Sequence, residues 1–99
     1  MALRRGDLAT VVLLESYGKP RPALVMLPIT STIVDAALLR LDIHPSLGNG
    51  LVASSQVMLN KPMTVSTDKI GTVFGHIDGS TMVSVNRSLA LVSGFLDEG

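Results

Sequence analysis

Near the N-terminus, Tyr17-Gly18-Lys19-Pro20-Arg21-Pro22 gathers two cations and an aromatic ring in six residues. Two prolines stiffen this stretch, because each fixes φ and removes a backbone donor, so it reads as a loop that opens directly onto Ala23-Leu24-Val25. Arg21 presents a planar fork suited to a phosphate, Lys19 adds a point charge, and Tyr17 offers a face on which a base can stack. On residue types alone, the simpler reading is a solvated surface loop whose prolines end one strand and begin the next. The first thirty residues carry Arg4, Arg5, Lys19 and Arg21 against Asp7 and Glu15, the one modest basic excess in the chain.

Other reactive arrangements are excluded by residue type or spacing. There is no cysteine, which removes disulfides and Cys-ligated zinc. His44 and His76 have no partner at i+4, so both read as surface or hydrogen-bonded histidines and not as metal ligands. Gly18-Lys19 lacks the preceding glycine and following hydroxyl of a phosphate-binding loop, and no Ser/His/Asp or Cys/His signature is present. Arg5-Gly6-Asp7 matches an adhesion tripeptide by chance. Eight Lys and Arg balance eight Asp and Glu, so any nucleic-acid contact must come from a local patch.

The elements that position these residues follow from periodicity. Leu8–Leu14 reads as a buried strand and Glu15–Pro22 as a loop. Ala23–Thr30 is apolar but interrupted by Pro28, which demands an edge or a bulge. Leu39–Ile43 alternates strictly, as a half-buried strand should, and His44–Gly50 is turn chemistry. Gln56–Asn60 and Met63–Ser66 are short strands separated by Pro62, and Ile70–Ile77 is another, bent at Gly71 and Gly75. Then the period changes. Asp78 caps a helix running to about Val92, with Met82, Val85, Leu89 and Val92 on one face and Gly94 as the stop.

Ninety-nine residues make one small domain, residues 1–99. Apolar residues make up 46% of the chain, yet only Tyr17, Phe74 and Phe95 are aromatic. Together with a mean hydropathy of +0.45, this points to aliphatic surface hidden between copies of the chain. The longest apolar stretches are only a few residues, so no segment spans a membrane, and the N-terminal stretch, broken by Asp7 and Thr10, lacks the form of a signal peptide. A cytoplasmic protein is expected.

Arg5-Gly6-Asp7, Tyr17–Val25, Leu27-Pro28-Ile29-Thr30-Ser31, Gly50-Leu51, Ser55-Gln56-Val57-Met58, Ile70-Gly71 and Met82–Ala90 resemble, in order, the MazF/PemK family of toxins. The resemblance covers nearly the whole chain. It implies a mainly β (α+β) fold, a small SH3-like plasmid-maintenance toxin barrel with a C-terminal α-helix, acting as a homodimer. It also implies cleavage of single-stranded RNA at short motifs without metal or other cofactor, and inhibition by a cognate antitoxin. Arg21 and Thr30 match the family's catalytic pair, and Tyr17, Lys19, Ser31, Asn60 and Lys61 are expected to hold the RNA.

Two departures stand out. Some branches of the family carry an arginine and an aspartate where this chain has Met58 and Asn60, so a carboxylate base is lost there. Lys61 cannot replace it at neutral pH without a shifted pKa. The family also places a β-hairpin between the strand holding Arg21 and that holding Thr30, whereas here Val25 is followed almost at once by Leu27-Pro28. Either the chain bends sharply at Met26–Pro28, or the pair is lost, or residues between Val25 and Leu27 are absent from the sequence, the third being favoured because the flanking motifs are intact. Two rival functions remain: a degenerate toxin that keeps only antitoxin binding, and a gyrase poison on the same fold. The lack of any tryptophan counts against the gyrase poison.

Overall fold

In the computed structural model, which describes residues 3–12 and 23–97, the apolar run after Gly6 becomes β1 (Asp7–Val11). The predicted loop Glu15–Pro22 and the end of the first predicted strand lie outside the described residues. The segment Ala23–Thr30 divides. Its first half is β2 (Ala23–Met26) and its second is β3 (Ile29–Thr30), and the two belong to different sheets. Pro28 cannot donate to a ladder, so the strand stops there and the chain changes partners. The Pro28 carbonyl still accepts from Met58 N at 2.9 Å, which seats the start of β3.

The alternating segment becomes β4 (Arg40–Ile43), followed by β5 (Ser55–Met58), β6 (Met63–Ser66) and β7 (Ile70–His76). A 3-10 turn at Thr67–Lys69 joins the last two strands. Pairing is antiparallel throughout, as β1 with β7, β2 with β6, and a three-stranded sheet in the order β3-β5-β4. The β1–β7 ladder slips register between Leu8 and Ala9 and again before Val11, so this pair is irregular where β7 carries its glycines. At Gly75 the reason for glycine is space, since a Cβ there would stand 2.1 Å from the Asn49 carbonyl oxygen. Asn49 in turn organises the 44–51 loop, its Oδ1 accepting from Ser46 N and Leu51 N and its Nδ2 donating to the His44 carbonyl. The loop closes at Gly50 in the left-handed region, at φ +68°, where a side chain would be strained.

Helix α1 (Gly79–Asp97) packs over the sheets. Asp78 caps it as expected, with Oδ1 accepting from Thr81 N at 2.7 Å and from the Ser80 hydroxyl at 2.9 Å. Val85 and Val92 are buried and Met82 and Leu89 pack against the core, so the helical spacing is correct. The stop is not. The helix runs past Gly94 to Asp97, because Gly94 does not turn into the left-handed conformation that ends helices. Leu8, Ile43, Val57, Leu59, Ile77, Val85 and Val92 form one core shared by β1, β4, β5 and α1. The molecule is thus mainly β with one C-terminal helix, and among the described residues no helix is long and apolar enough to cross a membrane.

Candidate active site

In the β3-β5-β4 sheet, directly opposed residues share a face. Ile29, Val57 and Leu41 point into the core, which leaves Thr30, Gln56 and Asp42 together on the other face, with Arg40 opposite Met58 beside them. That face is not bare. The segment leaving β3 folds back over it, and Gln56 is only 4% exposed.

Thr30 ends β3 and its hydroxyl oxygen accepts from Thr32 N at 3.0 Å. This short side-chain turn closes Thr30-Ser31-Thr32, and among the described residues the hydroxyl proton meets no acceptor. Ser31 and Thr32 are exposed and Thr30 is half-buried. The Arg40 guanidinium reaches this turn from β4, donating to the Thr32 carbonyl at 3.4 Å and to Gln56 Oε1 at 3.1 Å. Gln56 Oε1 also accepts from Val34 N at 3.2 Å, while its Nε2 donates to the Val34 carbonyl at 3.0 Å and to Asp42 Oδ1 at 2.8 Å.

The remaining expected site residues divide. Arg21, Tyr17 and Lys19 lie outside the described residues. Asn60 and Lys61 fall in the turn after β5, where Lys61 N donates to the Met58 carbonyl at 3.3 Å. Since Thr30 is in register with Gln56, that turn lies beyond the far end of β5, and the structure does not bring the pair onto the Thr30 turn. Met58 faces Arg40 across the ladder.

A second polar corner forms where β1 meets β7. His76 Nδ1 donates to Asp7 Oδ1 at 2.8 Å, and Arg4 N donates to Asp7 Oδ2 at 2.8 Å. The Arg4 amide, and after it His76, hold the Asp7 carboxyl below its ordinary value. Arg5 adds a short contact to Asn86 on α1. Asp78 is likewise lowered, first by the Thr81 backbone amide and then by the Thr81 and Ser80 hydroxyls. Among the described residues no three His, Asp or Glu side chains gather as a metal-binding set.

A family model of PemK-like, MazF-like toxins of type II toxin–antitoxin systems matches residues 4–93. The chain belongs to this family. Among MazF-like proteins, one from Mycolicibacterium smegmatis, described as a probable endoribonuclease MazF, is 32% identical over 106 residues. The match takes in 93% of this chain and 97% of the relative. Because 93% of 99 residues is about 92, roughly fourteen positions in the 106-residue match have no counterpart here.

Sequence reasoning passed over Arg40 and Gln56. Strict alternation in Leu39–Ile43 already placed Arg40 and Asp42 on one face. A glutamine inside the otherwise compact run Ser55–Leu59 was the second available signal, because a polar side chain in a core strand must find partners.

Proposed function

We propose that this MazF-like chain is the toxin of a toxin–antitoxin pair and an endoribonuclease that cuts single-stranded RNA at short sequence motifs. It acts in the cytoplasm as a homodimer, without metal, and is silenced by a cognate antitoxin. The carrying observation is the Thr30 turn on a chain of this family, with a hydroxyl whose oxygen is engaged by Thr32 N and whose proton meets no acceptor among the described residues.

In this reading a ribose 2′-OH attacks its own 3′-phosphate. The P–O5′ bond breaks, leaving a 2′,3′-cyclic phosphate on one product and a 5′-OH on the other. The 2′ proton is lost and the departing 5′ oxygen gains one, so the step needs proton transfer and stabilisation of a crowded, doubly charged phosphorane. Thr30 donates a hydrogen bond to a phosphoryl oxygen. Arg21 supplies charge and two aligned donors, and its high pKa makes it a stabiliser in preference to a proton carrier. Tyr17, Lys19 and Ser31 hold the strand around the scissile phosphate, with Asn60 and Lys61 further along its path.

The test is incubation of purified protein with a long RNA in EDTA, with mapping of the cut ends. Discrete cuts bearing cyclic phosphate and 5′-OH termini support the reading. Intact RNA overturns it and leaves the antitoxin-binding role of a degenerate toxin.

A further inference from the structure

We infer that Gln56 is a positioning residue for the cleavage proposed above: its side-chain amide holds the turn that presents Thr30. The inference rests on that reading of Thr30 and goes beyond it, since Gln56 is buried and acts only through the residues it holds.

A primary amide has two donor hydrogens and an acceptor oxygen with two lone pairs. Gln56 uses all four. Oε1 accepts from Val34 N and Arg40, and Nε2 donates to the Val34 carbonyl and Asp42 Oδ1. Both backbone groups of Val34 are thereby paired with one side chain, as a neighbouring strand would pair them. The orientation is fixed as well, because a flipped amide would set N–H against N–H and oxygen against oxygen at Val34.

The position of Gln56 gives this clamp its function. It sits on the central strand in register with Thr30 on one side and Asp42 on the other. Thr30 therefore stands at the start of a short excursion, from residue 30 to residue 34, whose two ends are both referred to residue 56. β3 has only two residues and cannot fix the direction of that excursion by itself. Arg40 reinforces the hold by bonding the Thr32 carbonyl in the middle of the turn. Without the amide, Val34 N–H and C=O lose their partners, and the Thr30 hydroxyl loses its fixed aim. A misplacement of about 1 Å at such a group costs on the order of a hundredfold in rate.

The experiment compares wild type, Thr30→Ala, Gln56→Ala and the double variant on one RNA in EDTA, together with hydrogen exchange at the Val34 amide. Gln56→Ala is expected to lower kcat by about tenfold or more with KM within about twofold, as for a group acting on the transition state. In the Thr30→Ala background the same change should cost less than about twofold, because its effect passes through Thr30. Equal losses in both backgrounds would overturn the inference. Should Gln56→Ala fail to fold, Gln56→Glu carries the test. It keeps an acceptor for Val34 N and Arg40 but turns oxygen toward the Val34 carbonyl and Asp42, so its rate loss should shrink as falling pH restores a donor. A pH-independent loss counts against the role. If wild type leaves RNA intact, the nuclease reading falls, and exchange still judges the clamp: faster Val34 exchange in the variant supports it, and unchanged exchange ends it.

Discussion

The Thr30 hydroxyl oxygen accepts from Thr32 N, so its own turn sets its geometry, and in the proposed reaction its proton goes to a phosphoryl oxygen. Thr30→Ala should then lower RNA cleavage on the order of a hundredfold, and Arg21→Ala by as much or more, the usual effect of deleting a preorganised stabiliser. Arg21→Lys should recover little, since an ammonium cannot reproduce the bidentate fork; near-normal cleavage by Arg21→Ala would remove Arg21 from the site. Asp7 makes a different prediction. Its carboxyl is lowered by the Arg4 amide and by His76, so its folded pKa lies below its unfolded one. Its stabilisation is complete above the ordinary carboxylate range and is lost as pH falls through the folded value. Thermal melts across that acid range should show a shallower decline for Asp7→Asn than for wild type, and identical declines would refute the coupling. Arg21 and Thr30 could be picked out in the sequence because short motifs surround them. Gln56 also lies in a short motif, but its partners Asp42 and Val34 were not legible, because only the ladder and the returning segment bring them to it.

Strands with clear punctuation were readable in advance. Met63–Ser66 and the alternating Arg40–Ile43 were placed within a residue of their ends, and Asp78 was found as the helix cap. The errors lie where local signal and tertiary context compete. Gly94 is a sound stop by propensity, yet the helix continues through it, because a single interior glycine costs only about 1 kcal/mol. Pro28 announced an interruption but not that β2 and β3 would join different sheets, a choice made by β6 and β5. Two glycine substitutions test this level from opposite sides. Gly75→Ala drives a methyl into the Asn49 carbonyl, a backbone atom that cannot rotate away, and should destabilise by about 1–3 kcal/mol. Gly79→Ala meets nothing within 4 Å at the start of α1 and should stabilise by about 0.4–1 kcal/mol by restricting the unfolded chain. Thermal melts of the two variants should move in opposite directions.

Many large aliphatic side chains remain in water, with Leu47 and Val52 fully exposed and Val25, Ile33, Val83 and Leu91 more than half exposed. This agrees with the composition, whose apolar excess is too large for the modest shared core. The prediction is a homodimer burying roughly 1,200 Å² or more in total, and sedimentation showing a monomer at tens of micromolar would refute it. Composition could signal that surplus, but not its location, because exposure depends on which faces the sheets turn outward. The pairing of β1 with β7 has a consequence in time. Asp7 waits for His76, the Gly6 carbonyl for Ile77 N, and Arg5 for Asn86. On a ribosome adding about 5–20 residues per second, the roughly sixty residues between β1 and β7 take about 3–12 s to make. Throughout that interval β1 has been made without the strand that completes it. A nascent MazF-like chain is thus still open along this edge when most of its length already exists.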